Sequence, residues 1–318
     1  MDIIDNTTVD VCMQVFGKPW QTALTLLTLD RYMRKKINKI FFIIEAAQPK
    51  NESNDLTILN GILPNMESIS LTAWIGLDPL DQSRIDDKEY RQNIRYQYAF
   101  EHTSADYLML SHNDVIYKGD VITAFLNNIG DHIAIGEIGQ CWNCPAKKDD
   151  IIKIFNQDGI DKPCQREEYE KFKLDFEQLN LAYRLARAKA YPLRHEAEKG
   201  LMEEYKINPW PLPECRVNEW CCLINMRMAR KATVPLGSGR PFGSYLKGHD
   251  LGTAWFRDMH IHGFRAKHMD LSKYIIHRPG HRALFNPTLY KENEIRAAQI
   301  IKKSFRESYE RLKERGLS

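Results

Sequence analysis

Residues 107 to 120 read YLMLSHNDVIYKGD, in which four hydrophobic residues run straight into Ser111, His112, Asn113 and Asp114. An imidazole and a carboxylate two residues apart are side chains that divalent metals accept. A second group of candidate ligands is Cys141-x2-Cys144 followed by Cys164 and Cys215, all in loop-like stretches near prolines. Those four suit a tetrahedral structural Zn²⁺ site, but unrelated free thiols and a redox Cys-x-x-Cys pair stay open beside it. The chain has seven cysteines. That odd number, in a chain without secretory features, argues against a disulfide framework. Cys12, Cys221 and Cys222 sit in the apolar runs DVCMQVF and EWCCLIN and read as buried thiols.

These side chains need elements to hold them. A short apolar run that ends in polar turn residues is the pattern of a strand buried on both faces of a parallel sheet. Ligands of such sheets bind beyond the carboxyl ends of the strands, where His112 and Asp114 fall. Strand patterns also appear over 10–16, 38–47, 68–75, 132–139 and 219–226, and helix patterns over 20–35 and 87–103, with a short helix over 55–63. Alternating strand and helix implies parallel pairing with right-handed crossovers and a three-layer α/β architecture. A Gly/Ser-rich stretch, 235–248, reads as a flexible loop or a plain connection. A helix begins at His249-Asp250, two short strands end at His277, and a terminal helix spans roughly 289 to 315.

The 318 residues allow a sizeable core. With a net charge of +3 and both signs interspersed, there is no basic stripe for duplex nucleic acid. The N-terminal MDIIDNTTVDV lacks a basic-then-apolar leader, and no apolar run is long enough to span a bilayer, so a cytoplasmic location is expected.

The order of these features resembles the GT-A fold glycosyltransferases, most closely the inverting family that makes polysaccharides and glycolipids. In that family a tyrosine-containing strand runs into an Asp-x-Asp motif. The register here sets His112 on the first Asp and Asp114 on the second. GHDLGTAWFRDMHIHGFRAKHMD, residues 248 to 270, resembles the family's acidic pair at a helix start, and Asp250 takes the place of the catalytic base. YIIHRPGH supplies His277 as the histidine that completes the metal site, with His281 in reserve. The resemblance implies a nucleoside-binding stretch at Phe16, Glu45 and Gln48. It departs from the family pattern where His112 replaces an Asp and His249 replaces a Glu.

The resemblance implies transfer of a sugar from a nucleotide-sugar donor to a saccharide or lipid-linked acceptor, with inversion, assisted by Mn²⁺ or Mg²⁺ at His112, Asp114 and His277. His112 could instead donate a hydrogen bond to phosphate directly. The alternatives are a non-catalytic nucleotide-sugar-binding protein on the same fold and a sugar-phosphate nucleotidyltransferase. The expected organisation is a nucleotide-sugar-binding half at 1–140, a helical cysteine-bearing insertion at 141–218, an acceptor half at 219–285 and a C-terminal helix at 286–318. Each key residue also has a plainer reading: Asp250 as a helix N-cap, Asp114 as a turn cap, His277 as a strand-end histidine. The terminal helix, with Ile295, Ile300, Ile301, Phe305, Tyr309 and Leu312, reads as docked on the domain or as a peripheral contact at the inner face of the membrane.

Overall fold

A computed structural model of the chain describes residues 7–49, 55–73, 75, 81–138, 216–244, 251–277 and 286–317. The four cysteines Cys141, Cys144, Cys164 and Cys215 lie outside the described residues, as do His249, Asp250 and His281.

Strand β1 (Val9–Val15) is buried at every position, as its apolar composition requires for the centre of a sheet. Its two polar members are satisfied. Asp10 accepts from Thr103 Oγ1 at 2.6 Å and Asn38 Nδ2 at 2.9 Å, and Gln14 Oε1 accepts from the Tyr96 amide at 2.9 Å. Helix α1 (Pro19–Met33) follows, with Pro at its first position, where the missing N–H costs nothing. Next come β2 (Ile37–Ile44) and β3 (Met66–Ser70).

Helices α2 (Lys88–Gln92) and α3 (Gln97–His102) replace the single helix expected over 87–103. The break has a cause: Tyr96 adopts φ 67° and turns its amide to Gln14, while Asn93 Oδ1 accepts from the Thr72 and Ala73 amides. The same Asn93 contact ends the third strand early, short of the expected 75. Then follow β4 (Tyr107–His112), β5 (Val115–Tyr117), α4 (Val121–Ile129), β6 (Ala134–Ile138), β7 (Val217–Asn225), α5 (Met226–Ala232), α6 (Thr253–Ile261), β8 (Ala266–His268) and β9 (Ile275–His277). The pattern reading passes over β5 and α4. Only three residues long, β5 is too short to show alternation.

The main sheet has the order β3-β2-β1-β4-β7-β6-β8. Its β3-β2-β1-β4 half is parallel, as expected, whereas β7 runs antiparallel to both β4 and β6. Two apolar cores cover its faces. One holds α1, α4 and the C-terminal helices, and the other holds α3, α5 and α6 around Trp255 and Phe242. The result is the three-layer α/β architecture expected from the alternation of strands and helices, with a mixed central sheet. Cys12, Cys221 and Cys222 are buried free thiols within it. Burial pushes all three thiols up, which removes them from nucleophilic chemistry at neutral pH.

The terminal helix is two helices, α7 (Pro287–Ser304) and α8 (Arg306–Glu314), broken at Phe305. Arg31 of α1 stacks its guanidinium 3.9 Å over the Phe305 ring and donates to the Ser304 carbonyl, so the chain bends around α1. Beyond the bend, Tyr309 stacks on Trp20 at 5.4 Å, and Ile301 and Leu312 are buried in the same core. No helix among the described residues is long and apolar enough to cross a membrane.

Candidate functional site

The carboxyl edge of the parallel half collects the candidate residues. Strands β1 and β4 pair in parallel with Gln14 opposite His112, so the β1–α1 turn (Phe16, Gly17, Lys18) and the turn after β4 (Asn113, Asp114) leave the sheet side by side. The turn after β4 leads into β5, whose Val115 pairs with His277 of β9. That two-stranded ladder carries a histidine from 163 positions down the chain to the neighbour of Asp114. One donor atom each from His112, Asp114 and His277 lie within 4.8 Å of one another.

Asp114 is the hub. Its Oδ2 accepts from Lys18 Nζ at 2.8 Å, while its Oδ1 lies 3.5 Å from His277 Nε2 and 3.9 Å from His112 Nδ1. Burial alone pushes the Asp114 carboxyl up, but the Lys18 ammonium and the two histidines outweigh it and hold the carboxyl well below the usual range. Asp114 is therefore an anion at neutral pH. Loss of solvent pushes His112 well below the ordinary imidazole value, and the charges of His277, Arg95 and Lys18 add to that push against the opposing pull of Asp114. His112 is neutral at pH 7 and offers a lone pair. A carboxylate and a neutral imidazole, with a second imidazole beside them, form a donor set that fits a divalent transition ion such as Mn²⁺ better than Mg²⁺.

The second layer comes from β7. His112 Nε2 lies 3.6 Å from Glu219 Oε1, and Glu219 is itself paired with Arg216. Trp220 stacks flat on the His277 ring at 4.7 Å and 10°. Consecutive strand residues normally face opposite ways, but the β6–β7 register shifts between Gly136 and Ile138, which lets Glu219 and Trp220 serve the two histidines.

The β1–α1 turn is tightly held. Gly17 has φ +57°, and a Cβ there would meet Pro49 Cγ at 2.7 Å and Tyr290 Oη at 2.9 Å, so no larger residue fits. Its amide donates to Gln48 Oε1 at 2.7 Å, and its carbonyl accepts from Asn113 Nδ2 at 3.0 Å. Lys18 also has positive φ, at 59°, and its amide donates to Tyr290 Oη at 2.6 Å. The free amides of the α1 N-terminus are taken by Glu294 of α7, which accepts from Trp20 N at 2.8 Å and Gln21 N at 3.1 Å. A carboxylate of the chain itself thus occupies a helix end that otherwise suits an anion.

Of the expected nucleoside-side residues, Glu45 is buried and accepts from Arg95 at 2.6 Å, and Phe16 lies half-buried just past β1. Gln48 directs its amide to backbone, donating to the Val15 and Glu45 carbonyls while accepting from Gly17. The start of the Gly/Ser stretch is anchored: Thr233 bridges Gly239, and Arg240 pairs with Asp258. Glu219, Trp220, Tyr290 and Glu294 escape a reading of the sequence. Glu219 left one signal, a lone carboxylate inside the apolar run EWCCLIN, where unpaired burial is costly.

No protein-family model matches this sequence, and no curated protein matches it. Among solved structures, the chain is similar to the mannosyltransferase PcManGT from Pyrobaculum calidifontis, solved with GDP-Man and Mn²⁺. The TM-score is 0.46 at 10% identity, covering 96% of this chain and 73% of that one. Mouse xyloside xylosyltransferase 1 matches at TM-score 0.38 and 13% identity, over 83% and 86% of the two chains. The galactosyltransferase LgtC, in complex with donor and acceptor sugar analogues, matches at TM-score 0.33 and 11% identity, over 70% of this chain. The chain spans 59% of that galactosyltransferase's length.

Proposed function

We propose that this chain is a glycosyltransferase that holds the diphosphate of a nucleotide-sugar donor at the His112, Asp114 and His277 centre and passes the sugar, with inversion, to a saccharide or lipid-linked acceptor. The observation that carries the reading is the convergence of these three side chains, from β4, its following turn and β9, beyond the carboxyl ends of β1 and β4. A divalent cation bound there supplies Lewis-acid stabilisation for the departing diphosphate. The chain's own part is to keep Asp114 ionised and His112 neutral, and to present the Lys18 ammonium on the same edge. Glu45, just past β2, and Phe16, just past β1, flank this edge and carry the nucleoside. Asp250 takes the acceptor hydroxyl proton as the anomeric carbon is attacked.

The test is a thermal-shift panel of UDP-, GDP-, CMP- and dTDP-sugars with Mn²⁺ or EDTA, followed by product detection with the stabilising donor. One donor raises the melting temperature by mass action, more in Mn²⁺ than in EDTA, and His277→Ala removes the difference. A panel in which no donor shifts the parent protein ends this reading.

A further inference from the structure

Lys18 is an unusual partner for a metal-ligating carboxylate. Its position is built, because its backbone is in the left-handed region and pinned by Tyr290, while the preceding Gly17 is gripped by Gln48 and Asn113. Its ammonium is buried, at 6% exposure, and sits 2.8 Å from Asp114 Oδ2. Glu219 is paired with Arg216, and the charge set directly against Asp114 is the Lys18 ammonium, so the two charges of the Lys18–Asp114 pair cancel. A divalent ion entering alone brings two positive charges to a carboxylate already neutralised. Low-polarity surroundings make such an excess costly. The diphosphate of a nucleotide-sugar carries two negative charges, so ion and donor entering together restore balance. The α1 N-terminus cannot supply that compensation, because Glu294 holds its amides.

We propose that Lys18 makes divalent-cation binding conditional on the diphosphate ligand: it shares Asp114 with the metal and weakens the metal's binding until an anionic ligand arrives. Lys18 is thus a positioning and specificity-setting residue, and the proposal rests on the metal reading of the His112, Asp114 and His277 centre. The coupling between Mn²⁺ and a nucleoside diphosphate is expected in the ordinary range for linked sites, about 5- to 150-fold.

The experiment is Mn²⁺ binding followed by the loss of the free-ion EPR signal, alone and with saturating UDP or GDP. It uses the parent, Lys18→Met, Lys18→Asn and Lys18→Arg, each checked for its fold by circular dichroism. Asn is included because it tolerates positive φ, so one neutral variant keeps the turn. The expected result is that both neutral variants bind Mn²⁺ alone about tenfold tighter than the parent and lose most of the nucleotide coupling, while Lys18→Arg behaves as the parent. Parent-like or weaker Mn²⁺ affinity in the neutral variants overturns the proposal, as does a gain in Lys18→Arg or a parent that binds no Mn²⁺ under either condition. The metal-only measurement involves no nucleotide. If Met and Asn gain Mn²⁺ affinity but no variant binds UDP or GDP, the competition at Asp114 stands and the donor reading falls.

Discussion

The Lys18–Asp114 pair can be weighed by a double-mutant cycle in EDTA. Both side chains are less than a tenth exposed, at 8% and 2%, and they meet at 2.8 Å. Removing one member of such a pair leaves the other charge buried and typically costs about 3–5 kcal/mol, whereas removing both costs much less. Asp114→Asn keeps the shape and an acceptor oxygen, so the lower end, about 3 kcal/mol, is expected for it. Unfolding entropy for 318 residues is about 0.7 kcal/mol/K, which turns that loss into a fall of about 4–5 °C in melting temperature. Lys18→Met loses a similar amount, because the buried Asp114 carboxylate then lacks the ammonium that faces it at 2.8 Å. The double variant should recover, with an interaction energy of about 1–3 kcal/mol. The assay is urea and thermal unfolding of all four proteins in one buffer. Additive single losses, or an Asp114→Asn protein that melts within about 1 °C of the parent, would refute the account of Asp114 as a buried charge balanced by Lys18.

Three further outcomes follow from the same structure. Glu294→Ala strips three donors at the α1 N-terminus of their carboxylate, so it should lose about 2–3 kcal/mol in urea unfolding, and a loss below about 0.5 kcal/mol would show the cap to be ornamental. Burial pushes the Glu101 carboxyl up, but Arg91, Gln97 and Gln92 outweigh it and leave it below its ordinary value. Its stabilisation is therefore full above the unfolded-state value, about 4.3, and disappears as pH falls through the folded-state value; Glu101→Gln should flatten the acid limb of stability, and an unchanged limb would contradict this. Asp250→Asn should leave the melting temperature and donor affinity intact while transfer falls about 10²-fold or more, and near-parent transfer would remove Asp250 as the base.

How much of this was legible beforehand differs from element to element. The strand at Tyr107 to His112, the buried β1 and the covered α1 follow from local composition, since a strand with apolar residues on both faces has nowhere to sit but the centre of a layered sheet. That placement brought His112 and Asp114 to the carboxyl edge. The nearness of His277 to Asp114 did not follow from local pattern and entered only through the resemblance, because it depends on a three-residue ladder between β5 and β9, too short to leave a periodic trace. The antiparallel entry of β7 between β4 and β6, the register shift that aims Glu219 and Trp220 at the histidines, and the reach of Glu294 to α1 are likewise long-range. Sequence by itself determined which segments must be buried, because burial is decided residue by residue from polarity and spacing. Only the tertiary structure decided which charges meet, because the pairing of Lys18 with Asp114 across 96 positions is set by the register of two parallel strands, and nothing local to either residue encodes it.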